Sequence, residues 1–415
     1  MKKNILLTLI ILSIFIFTTH AYNLNNKDQL FINNITLKIE KIISKKWEKY
    51  RNLFINKLTK YSIKYRDTKP RYSEIFIWVA ENITIEAIPK KCYLWMEVPS
   101  DLMRFSKDSP WRQKILSTQT LDSNSDAMIA NLKKILTIDL KKSKAVLNPS
   151  IQKWSSPVHI IDSDNCELFD VQNENWSYHD SIDPDRDWII KNIPIPKEIW
   201  AEPEVDWHTI LIDLNKRKVR EFSRFQQLSN WKYQASTAAI WDLDSKWIWK
   251  AFDWKTWYRQ WVNGAGTSYF GWMITFEEMK AWKIEHVLAV STPANRKKMS
   301  KWWAYNSELC ADVATRTDGW GIGPEFILEG QKIQLNPDLD LDKIGLSENA
   351  KIIARALQEY WAYVMDNARW FNLIMQNMDS DWSGKTWIKD FSDVNLFDIP
   401  LDEFRVLSCD NVMRK

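Results

Sequence analysis

The chain has 415 residues, 45% of them hydrophobic and 27% charged. That balance is normal for a soluble globular protein, and the length allows two or three domains. A net charge of +4 and a pI near 8.6 are too weakly basic to imply a nucleic-acid partner. The sequence has no Walker loop, dinucleotide fingerprint or G-x-S-x-G, which sets aside nucleotide chemistry and standard serine hydrolysis.

Met1-Lys2-Lys3 is a short positive start, and Ile5 to Phe17 is an apolar run broken only by Thr8 and Ser13. Thr19 and Ala21 put small residues at −3 and −1 of a cut after Ala21. This order predicts a cleavable signal peptide over residues 1–21, shorter than the roughly 20 apolar residues of a spanning helix. The expected location is secreted or extracytoplasmic, at the cell surface, with no membrane span after cleavage. Residues 22–105 read as a helical arm and linker, with Leu37, Ile39, Ile42, Leu53, Phe54 and Leu58 at near-helical spacing opposite a lysine-rich face.

Residues 106–415 have a different texture. Met128, Ile129, Leu132, Ile135 and Leu136 predict a helix over 126–140. Short β-type runs follow at 158–161, 166–169, 208–213 and 219–222, so 208–222 reads as a hairpin. Further strands are expected at 286–290 and 332–335. Ser347 caps a helix predicted to run to Tyr363. The expected fold is α+β, a mainly antiparallel β-sandwich or barrel-like domain with one or two helices behind the arm. Cys92, Cys166, Cys310 and Cys409 lack zinc spacing and permit two disulfides, in any of three connectivities.

Glycine and tryptophan are out of proportion. There are 9 Gly and 25 Trp, and the first glycine is Gly264. A typical chain carries about 7% Gly, and turns with positive φ need it. Many tryptophans stand in polar, turn-like stretches such as Asp206-Trp207-His208. This pattern suggests UGA codons that specify glycine but have been translated as tryptophan.

From about Ser109 onward the chain resembles an uncharacterised family of exported bacterial proteins. The resemblance rests on Ser109-Pro110-Trp111, Ile193-Pro194-Ile195-Pro196, Asp206-Trp207-His208 and Val219-Arg220-Glu221. It continues through Ala239 to Leu243, Asn263 to Glu278, Ala281 to Leu288, Val313 to Gly319 and Arg355 to Asn367. The family pattern has Gly where this chain has Trp272, Trp282 and Trp361. It has Asp where Asn263 stands and Arg where Trp207 stands. Trp111 matches the family's own tryptophan. The resemblance implies a cell-surface or polysaccharide-associated protein.

Within these blocks a His/carboxylate cleft is the candidate site. His208, Glu221, Asp242, His286 and Arg316 are the candidate catalytic residues, and Asn263 and Asp318 would bind substrate. Glu221 or Asp242 could act as acid and His208 as base on a glycan. Alternatively, Arg316 could neutralise a uronate carboxylate while His286 abstracts a proton. The expected partner is a polysaccharide or cell-surface glycan, handled by a hydrolase, a lyase or a non-catalytic adhesion module. Asp379, Asp381, Ser383 and Asp390 fall at positions 1, 3, 5 and 12 of an EF-hand-like loop, which makes Ca2+ a candidate ligand.

Overall fold

In the computed structural model the chain divides into two units, Met1–Lys90 and Lys91–Lys415. The structure describes residues 91–414 apart from 96, 116–118, 140–145, 152–153, 174–188, 203–205, 229–231, 247–251, 254–257, 260–261, 300–304, 307, 311–312, 379–385 and 410–411. The expected signal peptide and the arm up to residue 90 lie outside the described residues. The second unit starts earlier than the texture of the sequence suggests. Strand β1 (Tyr93–Trp95) pairs with β3 (Ser156–Ile161), and Val98 and Phe105 are fully buried in the core.

The first sheet runs β1-β3-β6-β7-β10, with β6 (Thr209–Asp213), β7 (Lys218–Ser223) and β10 (Thr237–Asp242). The predicted 208–222 hairpin is β6–β7, in register from Thr209↔Phe222 to Asp213↔Lys218. Strand β3 lies parallel to β6, and β20 (Gln376–Asn377) joins β3 from the other side. The second sheet has the order β2-β19-β13-β18-β17-β21. Its strands are β2 (Leu147–Ser150), β13 (Leu288–Thr292), β17 (Lys332–Leu335), β18 (Ala362–Asn367), β19 (Phe371–Ile374) and β21 (Phe404–Val406). A third, smaller sheet holds β5 (Ile189–Pro194), β4 (Leu168–Asn173), β9 (Tyr233–Ala235) and β8 (Gln226–Gln227). Three ribbons complete the set: β11 (Phe252–Asp253) with β12 (Tyr258–Arg259), β14 (Lys298–Met299) with β15 (Tyr305–Asn306), and β16 (Glu308–Cys310) with β22 (Val412–Arg414).

Successive strand residues point to opposite faces, and the apolar clusters follow that rule to give a layered order. Ile210 and Ile212 of β6 share a cluster with Ala289 of β13 and with Tyr363 and Met365 of β18, so the first and second sheets face each other. Leu211, Phe222 and Ala238 point the other way, onto Val171, Ile190 and Tyr233 of the third sheet. Leu288, Val290, Ala362 and Val364 cover the outer face of the second sheet, against helices α1 (Ser125–Asp139) and α3 (Glu348–Glu359). The layers are therefore helices, sheet, sheet, sheet. Each fully buried Leu, Ile or Val contributes about 1.5–3 kcal/mol. The result is an α+β, sandwich-like domain whose strand pairs are mostly antiparallel.

Helix α1 runs from Ser125 as its periodicity predicts. Helix α3 starts as expected, with the Ser347 hydroxyl accepting from the Ala350 N–H at 3.1 Å, but it stops before the predicted end at Tyr363. Tyr360 caps it, Trp361 turns left-handed, and Ala362-Tyr363-Val364 enter β18 between β13 and β17. The β-type run wins because it completes the central part of a buried sheet. Two shorter helices, α2 (Phe276–Lys280) and α4 (Trp387–Asp390), precede β13 and follow β20.

The open question of disulfide pairing is resolved. Cys92 bonds Cys166, and Cys310 bonds Cys409, leaving no free cysteine among the described residues. Two disulfides fit an oxidising, extracytoplasmic compartment. Among the described residues no helix is long and apolar enough to cross a membrane.

Candidate functional site

A polar loop, residues 263–270, crosses the end of the two facing sheets. The Asn263 carboxamide fixes its turn by accepting from Thr267 N–H at 3.0 Å and donating to the Thr267 carbonyl at 2.8 Å. Ala265 N–H donates to the Met365 carbonyl at 2.8 Å, which ties the loop to the end of β18. On its other side Thr315 N–H donates to Ala265 O, and the Arg316 guanidinium donates to Asn263 O at 3.2 Å.

Three carboxyl groups converge on this loop. Asp366 accepts from Gly264 N–H at 3.1 Å and from Asn367 N–H at 3.0 Å. Its placement depends on a break in the β13–β18 pairing: Val290 opposes Val364, but Ser291 opposes Asp366. Such bulges redirect side chains at strand ends. Asp318 reaches in from the 313–319 loop. A Cβ on Gly264 would stand 2.5 Å from an Asp318 oxygen and 2.6 Å from an Asp366 oxygen. Glycine is required there because any side chain would displace both carboxylates. Glu329 is fully buried behind them. It accepts from the Asn295 amide at 3.1 Å and from Asp318 N–H at 3.3 Å. Asn295 also donates to the Asp366 carbonyl at 2.8 Å, so one amide spans two of the acids.

Burial and crowding set the proton state. Desolvation, then the Asp318 carboxylate beside it, pushes Glu329 well above the usual carboxylate range. Desolvation, then repulsion from Asp318 and Asp206, does the same to Asp366. Tyr269 lies in the same field, and its phenol is raised by burial and by Asp366, Asp206, Glu202 and Glu221. The His208 ring packs 4.5 Å from the Tyr269 ring. Burial lowers the His208 pKa to about 4, opposed by Asp206 and by a backbone hydrogen bond at Val262. The imidazole is thus neutral at pH 7, with a buried Nδ1 that has no hydrogen-bond partner.

The sequence-predicted residues divide. His208, Asn263, Arg316 and Asp318 gather around the 263–270 loop. Glu221 lies beneath it, and its carboxylate accepts from Trp241 Nε1 (2.7 Å), Ser268 Oγ (2.6 Å), Tyr269 N–H (3.1 Å) and Phe270 N–H (2.8 Å). Burial raises its pKa against those four bonds. Asp242 stands at the far end of β10, paired with Lys218 at 2.6 Å and capping the 242–245 turn. His286 belongs to another buried group. It lies 3.1 Å from Glu278, which also holds Arg104 at 2.6 Å and is drawn down to about 2 chiefly by that arginine, against the opposing effect of burial.

Sequence reasoning missed Asp366, Glu329, Asp206, Tyr269 and Asn295. Asp206 and Asp366 stand inside the blocks that carry the family resemblance, so a signal was there. Glu329 sits in a polar turn with nothing to single it out. Of the expected calcium loop, Asp379, Asp381 and Ser383 lie outside the described residues. Asp390 accepts from Thr386 N–H at 3.2 Å, at the start of α4. Among the described residues no group of His, Cys, Asp and Glu is arranged to hold a metal ion.

A pH signature follows from Glu329. Its folded pKa is raised, so the folded state holds a proton that the unfolded chain has lost above about pH 4.3. That contribution to stability is present at low pH and is lost as pH rises through the folded pKa. Glu329→Gln keeps the shape and removes the titration. Its melting temperature is expected to match the parent's near pH 4 and to exceed it increasingly toward pH 8. A difference that does not change with pH would refute the assignment.

No protein-family model matches the chain, and neither does any curated protein or solved structure.

Proposed function

We propose that the protein is an exported glycan-active enzyme, a glycoside hydrolase whose reacting carboxyl groups are Asp318 and Asp366. The observation that carries this reading is the pair of oxygens flanking Gly264. Their distances to one common point place these oxygens at most about 5 Å apart, which is compatible with the close carboxyl pair that double displacement uses. Asp366, held protonated, is the acid, and Asp318, the more exposed, is the nucleophile. Asp366 gives its proton to the glycosidic oxygen while Asp318 attacks the anomeric carbon and the leaving-group bond breaks. Asp366, now a carboxylate, takes a proton from the water that displaces Asp318 and releases the sugar. Neutral His208 packs against Tyr269 and positions that ring beside the carboxyl groups. The signal-like amino terminus and the two disulfides support work outside the cytoplasm.

A second reading, a glycan-binding module without turnover, has its own support. An open depression is lined by Asn148, Ser150, Ile151, Trp154, Trp370 and Asn372. Amides beside aromatic rings suit sugar hydroxyls and sugar faces. Ser291 pairs with Asp366 on one side and Asn372 on the other, so this depression starts two strands from the carboxylates.

Product release from a panel of polysaccharides tests the choice. Asp318→Asn and Asp366→Asn are each expected to lower kcat by about 10³-fold with an unchanged circular-dichroism spectrum. Turnover that survives both sinks the carboxylate mechanism. Binding without turnover in the parent, weakened by Trp370→Ala, establishes the module. Unsaturated products would identify a lyase.

A further inference from the structure

Nine non-glycine residues among those described have a positive φ between 38° and 62°, and four of them are tryptophan: Trp154 (52°), Trp207 (38°), Trp282 (59°) and Trp361 (62°). A bulky side chain rarely takes this region, and glycine takes it without penalty. Tryptophan supplies 25 of the 415 residues, so chance would give it less than one of nine such places.

Local geometry sharpens the point. At the end of α2, Ala281 is the C-cap, Trp282 N–H donates to Met279 O at 3.1 Å and Lys283 N–H donates to Glu278 O at 3.2 Å. That pair of bonds is the Schellman motif, whose left-handed residue is ordinarily glycine. Trp282 occupies that residue and is 61% exposed, so little packing is there to offset the strain. Trp361 holds the same position after α3, one residue beyond the cap Tyr360. Its ring is buried, and its indole N–H has no hydrogen-bond partner. Trp207 turns the chain between Asp206 and His208. Its carbonyl accepts from Phe225 N–H at 3.0 Å, and the Asp206 carbonyl accepts from Arg224 N–H at 2.6 Å, so the turn cannot relax without losing both. Trp154 turns the chain just before β3. Two different helices and two different turns thus place the same unsuitable residue where the backbone calls for glycine. Trp111 and Trp272 lack positive φ and pack edge-to-face at 4.4 Å in the core.

We infer that positions 154, 207, 282 and 361 are glycine in the protein its own ribosomes make, encoded by UGA codons that specify glycine. The inference does not depend on the function proposed above. It places a glycine next to His208 in the candidate site and removes one ring from the depression near Asn148.

Peptide mass spectrometry of the protein purified from its native source, covering the four positions and Trp111, tests it. Glycine at all four with tryptophan at 111 is the expected result. Tryptophan at any of the four overturns it. In a host that reads UGG as tryptophan, Trp282→Gly is expected to raise the melting temperature of the chain as written. A lower one would also count against the inference, since little contact is lost at a mostly exposed residue.

Discussion

Glu221→Ala is expected to destabilise the domain by about 4 kcal/mol, because four donors lose their acceptor at once and each buried, unsatisfied one costs about 1–3 kcal/mol. The indole of Trp241, the hydroxyl of Ser268 and the amides of Tyr269 and Phe270 all converge on this carboxylate, which is 1% exposed. Some of that cost is recovered as water enters the space left behind, so the total falls below the simple sum. Glu221→Gln keeps both acceptor geometry and volume on one side and replaces an oxygen with a donor on the other, so it should fall between. Urea unfolding measures both. A loss under about 1 kcal/mol for the alanine variant would mean that the 268–270 loop does not rest on Glu221. Tyr269 lies against His208, so the same variant should also disturb the candidate site. Loss of activity in Glu221→Ala would therefore not make Glu221 catalytic.

The Cys310–Cys409 bridge is the second large term. It closes a loop of 99 residues, for which the chain-entropy argument gives about 4–5 kcal/mol. The double variant Cys310→Ser with Cys409→Ser is expected to lose that amount in equilibrium unfolding. Unfolding the parent protein in excess thiol, which opens Cys92–Cys166 as well, should cost more than this. Equal stability with and without thiol would refute the pairing as a structural element. Cys310 starts the segment leading to Arg316 and Asp318, and Gly330 N–H, Gln331 and Lys332 tie that region to β18 and the C-terminal strands. Loosening the bridge should thus reach the candidate carboxylates before it reaches the third sheet.

The elements that were legible in the sequence are those with strong periodicity. Helix α1 and strands β6, β7, β13 and β17 follow from apolar spacing alone, and Ser347 announces α3. The end of α3 was not legible, because Tyr360, Trp361 and Ala362 continue the helical pattern while the sheet recruits them. The pairing of cysteines was equally hidden, since spacing along the chain does not encode which strands meet. For the candidate site, His208, Asn263, Arg316 and Asp318 were readable as polar residues at strand edges or in loops. Asp366 stood at the end of the Arg355–Asn367 block with no role attached, and its placement depends on a register shift that only the pairing of β13 with β18 reveals. Glu329 acquires its raised pKa from Asp318 and from burial, and neither is visible in the linear order. Glu221 went the opposite way: a carboxylate on a predicted strand looked available for chemistry, and the folded chain surrounds it with donors.

The positions of the two disulfides have a mechanical consequence. Cys92 is the second residue of the second unit, and Cys409 lies six residues from the chain end. Each is fastened to a residue deep in the unit, so both ends of the domain are clamped. Peeling of β1 from the first sheet stops at Cys166, and release of the C-terminal segment stops at Cys310. Exopeptidases nibbling from either side, or a pull on the terminal residues, would meet a covalent stop before a core strand was exposed. Such closure slows the opening of the domain at its two edges.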